Sequence, residues 1–176
     1  AAAPPPGMCV MAYDSVRSVT VLFGGAGRND IWEWDGAVWR QILSGGAPSA
    51  RFYPAMVFDA ARMRCVLFGG TGTLGPLADT WEWDGARWTE PVLPACPPPL
   101  YNHAMAFDTV RGVVVLFGGY VWDPVARKDV PLAGTWERSG TTWQERRLAQ
   151  SPPARAYHGL AFDPGAKRTL LFGGTD

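Results

Sequence analysis

Val66-Leu67-Phe68-Gly69-Gly70 is a short apolar run closed by two glycines, and the chain writes it four times. The other copies are Val21-Leu22-Phe23-Gly24-Gly25, Val115-Leu116-Phe117-Gly118-Gly119 and Leu170-Leu171-Phe172-Gly173-Gly174. The glycine pairs recur every 45 to 55 residues or roughly so, the period of one small sheet per repeat. An apolar run of strand length reads as a strand covered on both faces. The paired glycines end it, because they allow positive φ and let another backbone come close.

Three further strand signals surround each copy. In the second, Ala55-Met56-Val57-Phe58-Asp59 precedes the run, and Asp59 caps the turn 60–64. Thr80-Trp81-Glu82-Trp83 follows, then Asp84-Gly85, a strong hairpin signal, then Arg87-Trp88-Thr89. The first copy matches with Met11-Ala12-Tyr13-Asp14, Ile31-Trp32-Glu33-Trp34-Asp35-Gly36 and Trp39. The third has Met105-Ala106-Phe107-Asp108, Thr135-Trp136-Glu137 and Trp143, with Arg138 in place of the second Trp and Ser139-Gly140 in place of Asp-Gly. The fourth has Leu160-Ala161-Phe162-Asp163 and Thr169 to Phe172, without third and fourth strands before Asp176.

Composition agrees with many short strands. The chain holds 21 Gly, 16 Pro and 9 Trp in 176 residues. Sixteen Lys plus Arg balance sixteen Asp plus Glu, so no net field draws the chain to nucleic acid or a membrane. Its longest apolar runs fall far short of the roughly 20 residues of a spanning helix. Cys9, Cys65 and Cys96 are odd in number and irregular in spacing, which gives neither a disulfide ladder nor a Cys-x-x-Cys zinc site; each reads as a small buried or loop residue, with one oxidised pair left open. Residues 1–7 lack the basic and apolar regions of a signal peptide and read as a linker or a cut end.

Four-stranded units that repeat without helices are expected to be blades of an all-β propeller, each hiding its neighbour's apolar face. Phe-Gly-Gly, a loop, then Asp-x-Trp-x-Trp-Asp-Gly-x-x-Trp resembles the kelch repeat, over essentially all of residues 8–174. The likeness is to bacterial kelch-like propellers related to the central domain of galactose oxidase. It implies blade 1 at 8–43, blade 2 at 52–93, blade 3 at 101–148 and a half blade at 156–174, as a sector of a larger propeller. It also implies that first strands line a central channel. Trp32, Trp81, Trp136, Trp39, Trp88 and Trp143 are then expected to be packing residues between blades. The expected setting is extracellular or at the surface of a bacterium.

In an antiparallel meander the 2–3 and 4–1 connections share one rim, and here they vary. The 2–3 loops are 26–29, 71–78 and 120–133, and the 4–1 links carry Pro48, then Pro91, Pro94 and Pro97 to Pro99, then Pro152 and Pro153. Variable loops on a fixed scaffold are where recognition sits. The residues entering each first strand belong at this mouth: Arg51-Phe52-Tyr53-Pro54, Leu100-Tyr101-Asn102-His103, Arg155-Ala156-Tyr157-His158, and Gly7-Met8-Cys9 in the first copy. Arg51, Tyr53, Asn102, His103, Arg155, Tyr157 and His158, with Trp122 of the 120–133 insertion, are the candidate binding residues. Two readings stand for the charged ones. Arg51 and Arg155 are anion or sugar contacts and His103 and His158 acids, bases or ligands. Alternatively, the Arg bridge blades through backbone carbonyls and the His hydrogen-bond a neighbouring strand.

Enzyme signals are weak. Tyr157-His158 is similar to the Tyr-His pair that holds copper in galactose oxidase, but the chain has 2 His in all and its further partners are not in evidence. There is no Gly-x-Ser-x-Gly, phosphate loop or His-Glu-x-x-His. Glu33, Glu82 and Glu137, one per blade, lie too far apart for a glycosidase pair, which needs about 5 to 10 Å. They are expected to pair with Arg or Lys on a neighbouring strand. The sequence thus points to a module without catalytic residues or cofactor that presents one rim to a protein or a glycan. The alternatives are a carbohydrate-active domain of the galactose oxidase type and a fragment that self-associates through open blade faces.

Overall fold

The computed structural model describes residues 3–25 and 27–176. Ala1 and Ala2 of the expected linker, and Ala26 of the first 2–3 loop, lie outside the described residues. Within them the chain is all-β, built of repeated antiparallel sheets. The first sheet orders β1 (Cys9–Asp14), β2 (Val19–Gly24), β3 (Ile31–Trp34) and β4 (Trp39–Ile42) side by side. The second joins β5 (Ala55–Asp59), β6 (Arg64–Phe68), β9 (Thr80–Trp83) and β10 (Trp88–Thr89), with a small hairpin, β7 (Thr71–Gly72) and β8 (Gly75–Pro76), inserted between β6 and β9. The third joins β11 (Ala104–Asp108), β12 (Val113–Phe117), β15 (Thr135–Ser139) and β16 (Thr142–Arg146), and its insertion is β13 (Tyr120–Asp123) paired with β14 (Lys128–Pro131). A pair of longer strands, β17 (Ala156–Asp163) and β18 (Arg168–Thr175), forms the last sheet.

Local chemistry sets the turns. Asp14 Oδ1 accepts from the Val16 and Arg17 amides, both at 3.0 Å, and Asp108 Oδ1 does the same for Val110 and Arg111 at 3.0 and 2.9 Å. These Asx turns bend the chain from first strand to second. The residue before the second strand then turns left-handed: Ser18, Met63, Gly112 and Lys167 have φ of 56°, 55°, 65° and 54°. Asp35 and Asp84 cap the third-to-fourth turns in the same way, by accepting from Ala37 and Val38 and from Ala86 and Arg87.

Successive sheets pack through two cores. Ala12, Val21, Phe23 and Ile31 of the first sheet meet Met56, Phe58, Cys65, Leu67, Trp83 and Trp88 of the second. Ala55, Val66 and Phe68 of the second meet Met105, Val114, Leu116 and Trp143 of the third. Leu67 and Val66 therefore face opposite junctions, which is why β6 is apolar at nearly every position. The first strands lie next to one another, β1 by β5, β5 by β11 and β11 by β17.

Both junctions use the same contacts. The Trp88 ring meets Phe23 edge-on with centroids 5.4 Å apart, and Trp143 meets Phe68 at 5.6 Å. Trp143 Nε1 also donates to Thr80 Oγ1 at 3.1 Å; the matching position in the first sheet is Ile31, so Trp88 Nε1 has no such acceptor. Trp83 Nε1 donates to Glu33 at 3.4 Å, and Arg138, its equivalent, donates to Glu82. Trp32, Trp83, Trp88 and Trp143 are buried, and Trp34, Trp39, Trp81 and Trp136 are half-buried. The second glycine of the second and third pairs ties the sheets: Gly70 N donates to Leu100 O at 2.8 Å and Gly119 N to Arg155 O at 2.9 Å. A Cβ on Gly118 would lie 2.5 Å from the Arg155 carbonyl, so the first glycine leaves room for the next sheet.

One expectation is corrected. Residues 71–78 and 120–133 are paired β-hairpins rather than loops, since β13 and β14 align Val121 with Val130 and Trp122 with Asp129 in an antiparallel ladder. On the last sheet Phe172 is 87% exposed, against 1%, 0% and 3% for Phe23, Phe68 and Phe117.

Candidate functional site

The residues entering the four first strands come together. Met8 and Cys9, Tyr53 and Pro54, Asn102 and His103, and Tyr157 and His158 line one cleft of about 290 Å³. They are the same two positions from each of the four sheets. Adjacent first strands deliver them there.

The first residue of three of these pairs carries an unusual backbone. Tyr53, Asn102 and Tyr157 have φ of 56°, 56° and 59°, a left-handed conformation that costs a non-glycine residue about 1 kcal/mol or more. Hydrogen bonds hold it. Asn102 N donates to Tyr53 O at 3.2 Å, and Tyr157 N to Asn102 O at 3.0 Å. The kinked residues thus form a backbone chain across three sheets at the rim of the cleft. Their side chains turn toward it, and Tyr157 is 61% exposed.

Aromatic rings surround this rim. Tyr157 meets Tyr53 edge-on at 6.5 Å and Tyr120 at 5.9 Å, and Tyr120 lies 6.0 Å from Tyr101. The Tyr101 hydroxyl donates to Asp129 on β14; burial and that carboxylate push its pKa up, so it stays a phenol. Sequence reading missed Tyr120 and Asp129 as site residues. The signal was the Tyr-Val-Trp alternation opening β13, which marks a strand rather than a free loop.

His103 and His158 form the floor. Each packs edge-on against the Phe of the preceding sheet, His103 on Phe68 and His158 on Phe117, both at 5.5 Å. Both are buried, and neither ring nitrogen of either has a hydrogen-bond partner. Asn102 Nδ2 is buried and unpartnered as well. The expected contact of each His with a neighbouring strand is present in part: the Phe68 backbone faces His103 and the Phe117 backbone faces His158, each favouring the protonated ring against burial, without a well-formed hydrogen bond. Burial lowers the pKa of both, His103 to about 3 with a further push from His158. Both imidazoles are neutral at pH 7, so each offers one donor and one acceptor.

The arginines stand apart from the cleft. Arg51 is fully buried and ties its own sheet together rather than bridging blades: Nη1 donates to Gly69 O at 3.0 Å, Nε to Ser49 O at 3.0 Å, and the guanidinium grips Asp79 at 2.6 and 2.8 Å. Arg155 repeats the geometry without the carboxylate, with Nε on Pro153 O at 3.2 Å and Nη1 on Gly173 O at 2.9 Å. Trp122 sits on β13 in a separate groove among Pro76, Pro98, Pro99 and Pro124. The glutamates pair with arginines, Glu33 with Arg17 at 2.7 Å and Glu137 with Arg111 and Arg146 at 2.5 and 2.9 Å.

The fold has solved counterparts. The chain is similar to the solved structure of YjhT, with a TM-score of 0.67 over 89% of this chain at 15% identity. It spans about half of that structure, 54%. No family model matches the sequence, and no curated protein does. The likeness concerns fold alone.

The copper site that the galactose oxidase likeness implies does not fit these residues. Among those described, no three His, Cys, Asp or Glu side chains group together. Among the described residues no carboxylate joins His103 and His158 in a group of three, and no step through a metal is derived.

Proposed function

We propose that the four sheets are neighbouring sectors of a kelch-type β-propeller and that the chain is a non-catalytic binding module whose channel mouth takes a neutral sugar residue of a glycan. The side-by-side first strands, the face-to-face cores and the repeated junction contacts support the propeller reading.

One observation carries the ligand class. Buried polar groups are almost always hydrogen-bonded, and an unpartnered one costs about 1 to 3 kcal/mol. Here Asn102 Nδ2 and the ring nitrogens of His103 and His158 lack a well-formed partner, and all three residues line one cleft rimmed by Tyr53 and Tyr157. A sugar hydroxyl both donates and accepts, so it satisfies a neutral imidazole from either nitrogen. Tyrosine faces suit the apolar side of a pyranose ring. An anion finds no cation here, because Arg51 is spent on Asp79 and Arg155 points to Gly173.

The test is a titration followed by NMR with galactose, glucose, N-acetylglucosamine and their β-linked oligomers. Binding moves the His103 and His158 ring resonances. Asn102→Gly, which keeps the left-handed backbone and removes the amide, weakens binding about tenfold. If none of these sugars moves either imidazole, the glycan reading is wrong.

A further inference from the structure

Trp122 is the one exposed indole among the 9 Trp, 48% exposed where Trp83 and Trp143 are 1%. It takes no part in either core between sheets. It stands instead on β13, and the hairpin fixes where it points. Val121 packs against the core between the second and third sheets. Successive strand residues face opposite ways, so Tyr120 and Trp122 share the outer face, roughly 6.6 Å apart along the strand. Asp129 lies directly across from Trp122 and belongs to that face too.

This face is held in place from within the protein. Tyr120 N donates to Tyr101 O at 2.8 Å and Tyr101 N to Tyr120 O at 3.2 Å, and the Tyr101 hydroxyl donates to Asp129. Asp123 caps the hairpin turn by accepting from the Val125 and Ala126 amides at 2.8 and 3.0 Å. The rings are thus ordered before any ligand arrives, which lowers the cost of binding.

The face also continues the sugar cleft. Tyr157 lines the cleft and meets Tyr120 edge-on at 5.9 Å. Beyond Tyr120, Trp122 opens on a groove of about 330 Å³ walled by Pro76, Pro98, Pro99 and Pro124. Tyr53, Tyr157, Tyr120 and Trp122 therefore form one row of rings that joins the two hollows. Among the described residues no charged side chain lines the groove.

From this we infer that the row is a track for an extended, uncharged, β-linked glycan, with one unit in the cleft and further units stacked on Tyr120 and Trp122. The inference rests on the sugar reading of the cleft and narrows its ligand from a lone sugar to a chain. A β-linked pyranose chain is a flat ribbon. Its C–H faces cover aromatic rings, and its hydroxyls leave from the edges. Trp122 Nε1 is a donor for one of those hydroxyls. A chain bearing carboxylates or sulfates finds no cation in the groove.

The test uses the whole chain and compares N-acetylglucosamine and glucose with their β-1,4-linked tetrasaccharides, read by NMR. One of the tetrasaccharides is expected to bind about tenfold or more tightly than its monosaccharide. It shifts the Trp122 Nε1 proton together with the His103 and His158 rings, whereas the monosaccharide shifts only the histidines. Trp122→Ala, a change at an exposed side chain, removes the gain with length and leaves monosaccharide binding and the circular dichroism spectrum unchanged. Monosaccharide binding with no gain for either tetrasaccharide overturns the inference and leaves the cleft reading standing. A gain that survives Trp122→Ala overturns it too, because the chain then runs elsewhere. If no sugar of either length moves the histidines, the cleft reading falls and the track with it. A proline-rich peptide that shifts Trp122 Nε1 where neither tetrasaccharide does would show that the groove takes peptide, and would also overturn it.

Discussion

Arg138 Nη2 donates to Glu82 across the junction of the third and second sheets, where one junction earlier Trp83 Nε1 donates to Glu33. The chain thus meets one requirement, a donor aimed at a half-buried carboxylate of the preceding sheet, with two chemistries. Arg138 is 1% exposed, and its Nε and Nη1 have no partner, so the guanidinium is held there by Glu82 alone.

Removing that donor leaves the carboxylate without its partner. Arg138→Ala is expected to cost about 3 kcal/mol in urea unfolding. Arg138→Trp, which copies the earlier junction, costs less than half as much. Equal losses for the two would show that the donor is not what the position requires.

Acid weakens the fold through the histidines. His103 is held neutral, its folded pKa about 3 against an unfolded value of about 6.5. Its unfolded state takes up a proton first, so stability is full above about pH 6.5 and falls as pH drops toward about 3. The slope reaches about 1.4 kcal/mol per pH unit for one proton. His158 shifts in the same direction and adds to it. Urea titrations at pH 7.5 and 5 check this, because the carboxylates with lowered pKa, such as Asp79 and Asp108, lose their contribution only at lower pH. His103→Gln flattens the change.

Glycines of like conformation are expected to differ in cost. Gly36 has φ of +97° and open space where a methyl would go, so Gly36→Ala carries only backbone strain of about 1 to 2 kcal/mol. Gly118 has φ of +66° and would place a methyl 2.5 Å from the Arg155 carbonyl. Gly118→Ala therefore costs clearly more, read as a larger drop in the urea midpoint.

The thiols separate by burial. Cys65 lies in the first junction core, where burial and the nearby Asp14 push its pKa up to about 12, while Cys9 and Cys96 are exposed. A disulfide-exchange reagent should titrate two thiols in the native protein and the third only on unfolding. Native reaction of all three would mean that the junction opens.

Much of the fold was legible because its signals are local. Phe-Gly-Gly, Asp-Gly and the Trp-Glu-Trp alternation each set a strand end, a turn or a strand within a few residues, and the copies repeat them apart from Arg138 and Ser139 in the third. The hairpins at 71–78 and 120–133 were not legible as such, since β7 and β8 are two residues each and Asp and Lys interrupt the second. The partner of Arg51 is Asp79, 28 residues on, and the partner of Glu82 is Arg138, 56 residues on. Such pairs depend on how sheets stack, which periodicity does not encode. At the cleft the positions were legible from their place before each first strand. Their left-handed backbone was not: Asn102 favours it, but Tyr53 and Tyr157 do not and are held in it by neighbouring sheets.

Proton–proton contacts between aromatic rings test the stacking itself. Sheets packed face to face predict nuclear Overhauser cross-peaks from Trp88 to Phe23 and from Trp143 to Phe68, whose ring centroids lie 5.4 and 5.6 Å apart across the junctions. Their absence, together with ladder contacts pairing β4 to β5 edge to edge, would contradict it.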